Sequence, residues 1–232
     1  PIWDCEGIAF LLERCWPLVT SLQMTLHFWL DIHPERRADQ GWMSVFGTPM
    51  LALEKELMSR SDAIRSASAA IKNEIENAYE FTFDDGSIQV APLGLKKPKP
   101  APRIGKDKIE VLFVGRLEAW KGIDVLLDVI PAISSANPSV RFTIVGDNTV
   151  PATNGISYME QFCAQHRGAD WLSRVQFTGQ LTTDVLQHAY AASDIFVTPS
   201  RFESFGLGFL EAMRVGKPVI GCKAGSLPDI VP

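Results

Sequence analysis

From Ile109 onward, short strands built from Val, Ile and Phe alternate regularly with helical patterns. Strands are expected at Ile109–Val114, Val140–Val145, Val175–Phe177, Asp194–Thr198 and Pro218–Cys222. Helices are expected from about Gly122 to Ala136, near Tyr158–Gln165, at Thr183–Ala192 and at Gly206–Val215. The strands show little polar alternation, so both faces of their sheet must be covered. Repeated strand–helix units of this kind wind into a doubly wound parallel sheet with right-handed crossovers.

Residues 1–95 carry a looser version of the same alternation. Glu6–Cys15 has helical apolar spacing, Pro17 ends it, and Leu18–Leu22 reads as a buried strand. Met50–Ser59 is expected to be an amphipathic helix with Leu53, Leu57 and Met58 on its inner side. Asp62–Ser66 is a short strand, Ser66 or Ser68 can cap a helix over Ala69–Tyr79, and Ile88–Ala91 is a last strand. Residues 96–108, KKPKPAPRIGKDK, have almost nothing to bury and read as a linker. The resulting division is 1–95, a partial α/β domain; 96–108, the linker; and 109–232, a doubly wound parallel α/β domain.

Composition narrows the function classes. A net charge of -5 argues against a nucleic-acid partner, which usually meets a basic surplus. A pocket for an anion still needs only two or three local cations. The four cysteines and four histidines fall into no metal-ligand spacing. The longest apolar stretch, Trp16–Leu30, is interrupted by polar residues well before the ~18 consecutive apolar residues of a span. A cytoplasmic protein is expected, with peripheral membrane attachment left open. The opening at Pro1 and the stop just after Pro228-Asp229 suggest a piece of a longer protein.

In an open parallel α/β sheet, ligands bind beyond the carboxyl ends of the strands. Five turns there are rich in glycine and polar residues: Gly115-Arg116 with Lys121-Gly122, Gly146-Asp147-Asn148, Gly179, Pro199 to Glu203, and Ala224-Gly225-Ser226. Arg116 and Lys121 suit a diphosphate, whose charge grows as its bond to a leaving group breaks. Taken alone, an Arg and a Lys after a strand are common surface residues. The segment Glu203-Ser-Phe-Gly-Leu-Gly-Phe-Leu-Glu211 is the second constellation. Ser204 can cap its helix, and Gly206 and Gly208 would let backbone N–H groups approach a ligand. Glu211, on a helix with apolar neighbours, suits the diol of a ribose. Neither GxGxxG nor GxxxxGK[ST] occurs, which argues against both common phosphate loops.

Together these motifs resemble the GT-B glycosyltransferases, specifically the retaining family 4. The matching stretches are Phe113-Val-Gly-Arg-Leu117 with Lys121-Gly122, Ile144-Val-Gly-Asp147, Val175-Gln-Phe-Thr-Gly179, Asp194 to Ser200, Glu203 to Met213, and Gly216-Lys-Pro-Val219. The resemblance implies two Rossmann-like domains and a nucleotide-sugar donor, bound mainly by residues 109–232. It implies that Arg116 and Lys121 hold the diphosphate, Glu211 the ribose, and Glu203 the neighbourhood of the donor sugar. Gly115, Gly179 and the backbone at Phe205, Gly206 and Leu207 would also meet the donor. It further implies retention of anomeric configuration, no cofactor, no divalent metal, and an acceptor of unidentified class.

Departures from the family pattern are local. The family's glycine-rich loop near the start of the first domain is missing from this sequence, as expected of a chain truncated there. Gln23 stands where the family often has a donor-side histidine, with His27 four residues on, and the usual Gly-Gly-x-Pro-Glu reads Gly225-Ser-Leu-Pro-Asp229. A phosphorylase or sugar-nucleotide epimerase of the same fold, and a non-catalytic binding fragment, remain alternatives. The chain by itself is expected to turn over little or no donor. Among the tryptophans, Trp120 beside Lys121 is the candidate for a role at the site.

Overall fold

A computed structural model describes residues 7–13, 15–84, 86–96, 107–149, 152 and 155–231. The linker expected over 96–108 lies almost wholly outside them. The chain forms two compact units. One comprises Pro1–Gly94 with Glu203–Phe205 and Gly225–Pro232; the other comprises Leu95–Phe202 and Gly206–Ala224. Both are α/β with parallel sheets.

The first unit runs α1 (Gly7–Leu12), β1 (Val19–Leu22), α2 (Leu26–Ile32), α3 (Pro34–Ala38) and α4 (Gln40–Trp42). A π-helical stretch, Met43–Gly47, then leads into α5 (Thr48–Arg60), followed by β2 (Ala63–Ser66), α6 (Ala69–Tyr79) and β3 (Ile88–Val90). The strands pair in parallel in the order β1-β2-β3. Ser68, rather than Ser66, caps α6 by accepting from Ile71 N–H. Ser66 instead donates its hydroxyl proton to the Ser68 carbonyl.

The inner side of α5 differs from the sequence expectation. Leu57 and Met58 are buried, but Leu53 is exposed and Glu54 takes the central place, fully buried. Both Glu54 oxygens accept from Leu26 N–H, at 3.0 and 3.1 Å, and Tyr79 donates its hydroxyl proton to the same carboxylate. Leu26 opens α2, whose N-cap Thr25 makes no side-chain cap. Glu54 thus caps α2 from another helix, and it fixes the chain just after Gln23. A count of apolar spacing misses this, because a buried acid is tolerated only when other elements bring it partners.

Burial raises the Glu54 pKa, with the Tyr79 and Leu26 hydrogen bonds opposing. A folded-state pKa above the unfolded one contributes stability at low pH that is lost as pH rises. Wild-type stability relative to Glu54→Gln should therefore fall as pH rises from below 4.5, in urea melts across that range. A difference independent of pH would contradict it.

The second unit runs β4 (Ile109–Val114), a 3-10 turn (Ala119–Lys121), α7 (Ile123–Ala136), β5 (Val140–Val145), α8 (Tyr158–Gln165), β6 (Val175–Gly179), α9 (Thr183–Ala192), β7 (Ile195–Thr198), α10 (Leu207–Met213) and β8 (Val219–Gly221). All pairs are parallel, in the order β6-β5-β4-β7-β8. Phe113, Leu126, Ile130, Phe142, Ile144 and Phe162 fill one side of the sheet. The last helix, α11 (Leu227–Ile230), belongs to the first unit, and its Asp229 carboxylate accepts from Ala70 N–H at 2.9 Å.

This strand order places β4 between its sequence successor β5 and the later β7. The winding reverses between β4 and β7, so the turns after those strands flank a crevice. Backbone packing there is tight. Gly146 has φ 152°, and a Cβ on it would lie 1.7 Å from the Gly115 carbonyl oxygen. Gly146→Ala should lower unfolding stability by about 1–3 kcal/mol in urea denaturation; an unchanged midpoint would contradict this packing.

Candidate functional site

The turns after β4, β5 and β6 are joined by main-chain hydrogen bonds. Gly115 N–H donates to Val145 O (3.0 Å), Leu117 N–H to Asp147 O (2.9 Å), and Gly146 N–H to Gly179 O (3.0 Å). Gly179 holds φ 70°, which turns its carbonyl toward this contact without a steric cost. Gly115 and Gly179, two of the expected site residues, thus belong to one ledge at the carboxyl edge of the sheet.

Arg116 and Lys121 stand on this ledge around Trp120. The Arg116 guanidinium carbon lies 5.1 Å from the indole centroid, and the Lys121 ammonium nitrogen lies 4.2 Å from it. Glu118 completes the group. Its Oε1 is 3.1 Å from Arg116 Nη1, and its other oxygen accepts the Trp120 indole N–H. An aromatic face attracts a cation by roughly 0.5–1 kcal/mol where solvent reaches it. One indole therefore attracts both cations. The motif contained both cations, and Trp120 was singled out for its place beside Lys121. The part of Glu118 was missed, because a glutamate in a turn gives no sequence signal.

Arg201, from the turn after β7, holds this cluster from the far side of the crevice. Its N–H donates to Trp120 O at 2.8 Å, and its guanidinium donates to Ala119 O. The same guanidinium makes a bidentate pair with Asp124 in the first turn of α7, at 2.8 and 2.7 Å. Burial opposes the charge on Asp124, but the Arg201 hydrogen bonds and charge outweigh it and lower its pKa. Gly122, with φ 72°, lets Pro199 O approach to where a Cβ would lie at 1.9 Å. Arg201 and Asp124 are 77 positions apart, so only the fold reveals that they act as a pair. Asp147 also faces Arg116. A hydrogen bond from Thr149 N–H is the main cause of its lowered pKa, and the charge of Arg116 contributes.

The Glu203–Glu211 segment is divided between the units. Glu203 and Phe205 are buried and cluster with the first unit, whereas Gly206, Leu207 and Glu211 cluster with the second. The Glu203 carbonyl is clasped by Ser226, through its N–H at 2.8 Å and its hydroxyl at 3.1 Å. Gly225 leaves room for that carbonyl, since a Cβ there would meet it at 2.1 Å. Ser204 does not cap α10. The N-cap is Gly206 in the left-handed region, φ 75°, a conformation that a serine would adopt only under strain. The second glycine, Gly208, serves packing, because a Cβ there would lie 3.1 Å from Phe196 and 3.3 Å from the Tyr190 hydroxyl. Leu207 is exposed at the start of α10, and Glu211 is half-buried in its second turn. Both follow β7, the neighbour of the strand that leads to Arg116.

In the first unit, Gln23 is exposed directly after β1. His27 lies in α2 and packs against Phe28 and Tyr79. Burial lowers its pKa, with Asp31 opposing. Among the described residues, no helix is long and apolar enough to cross a membrane, and no group of three or more His, Cys, Asp or Glu could hold a metal ion.

The fold is that of the GT-B glycosyltransferases, and the comparisons with known proteins agree. The family described as "Glycosyl transferases group 1" matches residues 108–232, and the chain belongs to it. Relatives include a glycogen synthase of Mycobacterium tuberculosis, 27% identical over 223 residues, covering 93% of this chain and 48% of that protein. A D-inositol 3-phosphate glycosyltransferase of Segniliparus rotundus is 32% identical over 188 residues, covering 77% of this chain and 40% of its own length. The chain thus spans about half the length of the curated relatives it matches. Among solved structures, Anabaena Alr3699/HepE in complex with UDP and glucose superposes with a TM-score of 0.72 at 25% identity, over 99% of this chain and 59% of that one.

If the Arg201–Asp124 pair holds the Trp120 turn, Arg201→Ala should lower 15N order parameters at Ala119–Gly122 while leaving β4 and β5 unchanged. Both partners are partly exposed, so the loss of overall stability should stay within about 1 kcal/mol. Unchanged order parameters in the turn would contradict this role.

Proposed function

We propose that this chain is part of a retaining glycosyltransferase of family 4, which moves a hexosyl group from a nucleotide-sugar donor to an acceptor. The observation that carries the reading is the pair of cations, Arg116 and Lys121, gathered on Trp120 where the winding of the sheet reverses. Support comes from the complex of Anabaena Alr3699/HepE with UDP and glucose.

In this reading Arg116 and Lys121 take the donor diphosphate and stabilise the charge that grows on it as the glycosidic bond breaks. They supply that positive charge without a metal ion, and no cofactor takes part. Glu211 accepts from the ribose hydroxyls. The backbone at Phe205, Gly206 and Leu207 meets the phosphates and sugar hydroxyls, and Gly115 and Gly179 keep the ledge low enough for the donor to lie across it. Glu203 and Gln23 attend the donor sugar. Transfer belongs to the whole protein, in a cytoplasmic setting, with the acceptor's chemistry left to further residues.

Calorimetric titration with UDP, GDP and ADP tests the donor site. At least one should bind, and Arg116→Ala or Lys121→Ala should each weaken it about tenfold or more, the scale of a charge-assisted hydrogen bond. Binding of none of the three, or affinity unchanged in both variants, would contradict the assignment.

A further inference from the structure

The Arg116 guanidinium already has an oxyanion against it. Glu118 Oε1 lies 3.1 Å from Nη1, and the other carboxylate oxygen is anchored by the Trp120 indole N–H. The Glu118 side chain is 13% exposed while that of Arg116 is 57% exposed, so the carboxylate is the held partner and the guanidinium the accessible one. A carboxylate and a phosphate approach the guanidinium fork in the same way and compete for the same N–H groups. Lys121 shares the indole. Asp147, the other acid facing Arg116, makes its hydrogen bond to Thr149 N–H.

We propose that Glu118 is an internal competitor of the donor diphosphate: it pairs with Arg116 when the site is empty, yields to the diphosphate on binding, and re-pairs as the nucleoside diphosphate leaves. The inference rests on the reading of Arg116 and Lys121 as the diphosphate seat. Its consequence is a site with moderated affinity. Product release is helped because the vacated cation has a partner waiting, anchored to the indole. Trp120 serves both sides of this exchange, since its face attracts the cations and its N–H fixes the competitor.

The sign of one substitution separates competition from mere support. If Glu118 only held Arg116 in place, removing its charge would loosen the cation and weaken binding. If Glu118 competes, Glu118→Gln should tighten binding, because the amide oxygen can still accept the indole N–H while the negative charge is gone. The test titrates UDP, and inorganic pyrophosphate as a base-free probe, into the wild-type chain, Glu118→Gln, Glu118→Ala, Arg116→Ala and the Glu118→Gln/Arg116→Ala double variant. Thermal unfolding of each is recorded alongside. Competition predicts tighter binding of both probes by about twofold to fivefold in Glu118→Gln, the range of a partly exposed ion pair. Glu118→Ala should change in the same direction, and the gain should vanish in the double variant. Binding that depends on Arg116 but is unchanged or weaker in both Glu118 variants overturns the competitor and leaves the diphosphate seat standing. A gain that persists without Arg116 also overturns it. Affinity that survives Arg116→Ala removes the seat itself, and the competitor with it.

Discussion

The contact on which the second unit's site depends is the approach of the β7 turn to the β4 turn. Pro199 O reaches the backbone at Gly122 because no side chain stands there, and Arg201 then bonds to Trp120 O and Ala119 O. The pairing with Asp124 ties this contact to the first turn of α7. The peptides around Trp120 are therefore held on two sides, by Arg201 and by the main chain of the neighbouring turns. The proposed diphosphate seat depends on such restraint, since two cations on flexible side chains would otherwise separate under their own repulsion. Trp120 supplies what the backbone cannot, a surface attractive to both cations at 5.1 and 4.2 Å.

Within this frame each glycine has a local reason. Gly146 lets the Gly115 carbonyl come close, Gly179 turns its carbonyl toward Gly146, and Gly225 makes room for the Glu203 carbonyl. Glycine is set by its positive φ at Gly179, and by close contact between chain segments at Gly146 and Gly225. The same holds for Gly208, which the spacing of the Glu203–Glu211 segment suggested as a ligand contact. It lets α10 lie against Phe196 and Tyr190.

The second unit is largely legible in the sequence, because short strands rich in Val, Ile and Phe that alternate with helical patterns admit few alternatives to a buried parallel sheet. Ile109–Val114 and Val140–Val145 coincide with β4 and β5, and Thr183–Ala192 with α9. What escaped was chemistry carried by long-range pairs. Glu54 stands three and four residues before Leu57 and Met58, on the face where helical spacing calls for an apolar side chain, and its partners Leu26 and Tyr79 make its burial tolerable. Arg201 was visible as a strand-end residue, but its partner Asp124 was not. The α10 cap was assigned to Ser204 because serine is a common cap, whereas a left-handed Gly206 opens the helix. Of the candidate site, Arg116 and Lys121 stand out at a strand end only in combination with the other motifs, while their shared indole and the carboxylate beside them required coordinates.

The central claim is that the Trp120 turn and the start of α10 bind the donor's nucleoside diphosphate. Amide hydrogen exchange with and without saturating UDP tests it most directly, because it reports where the ligand lies without any substitution. Exchange should slow over residues 115–122 and 206–211, with the outer groove between α7 and α8, lined by Asp128, Gln161 and His166, left unchanged. Protection confined to that groove, with none over residues 115–122, would contradict it.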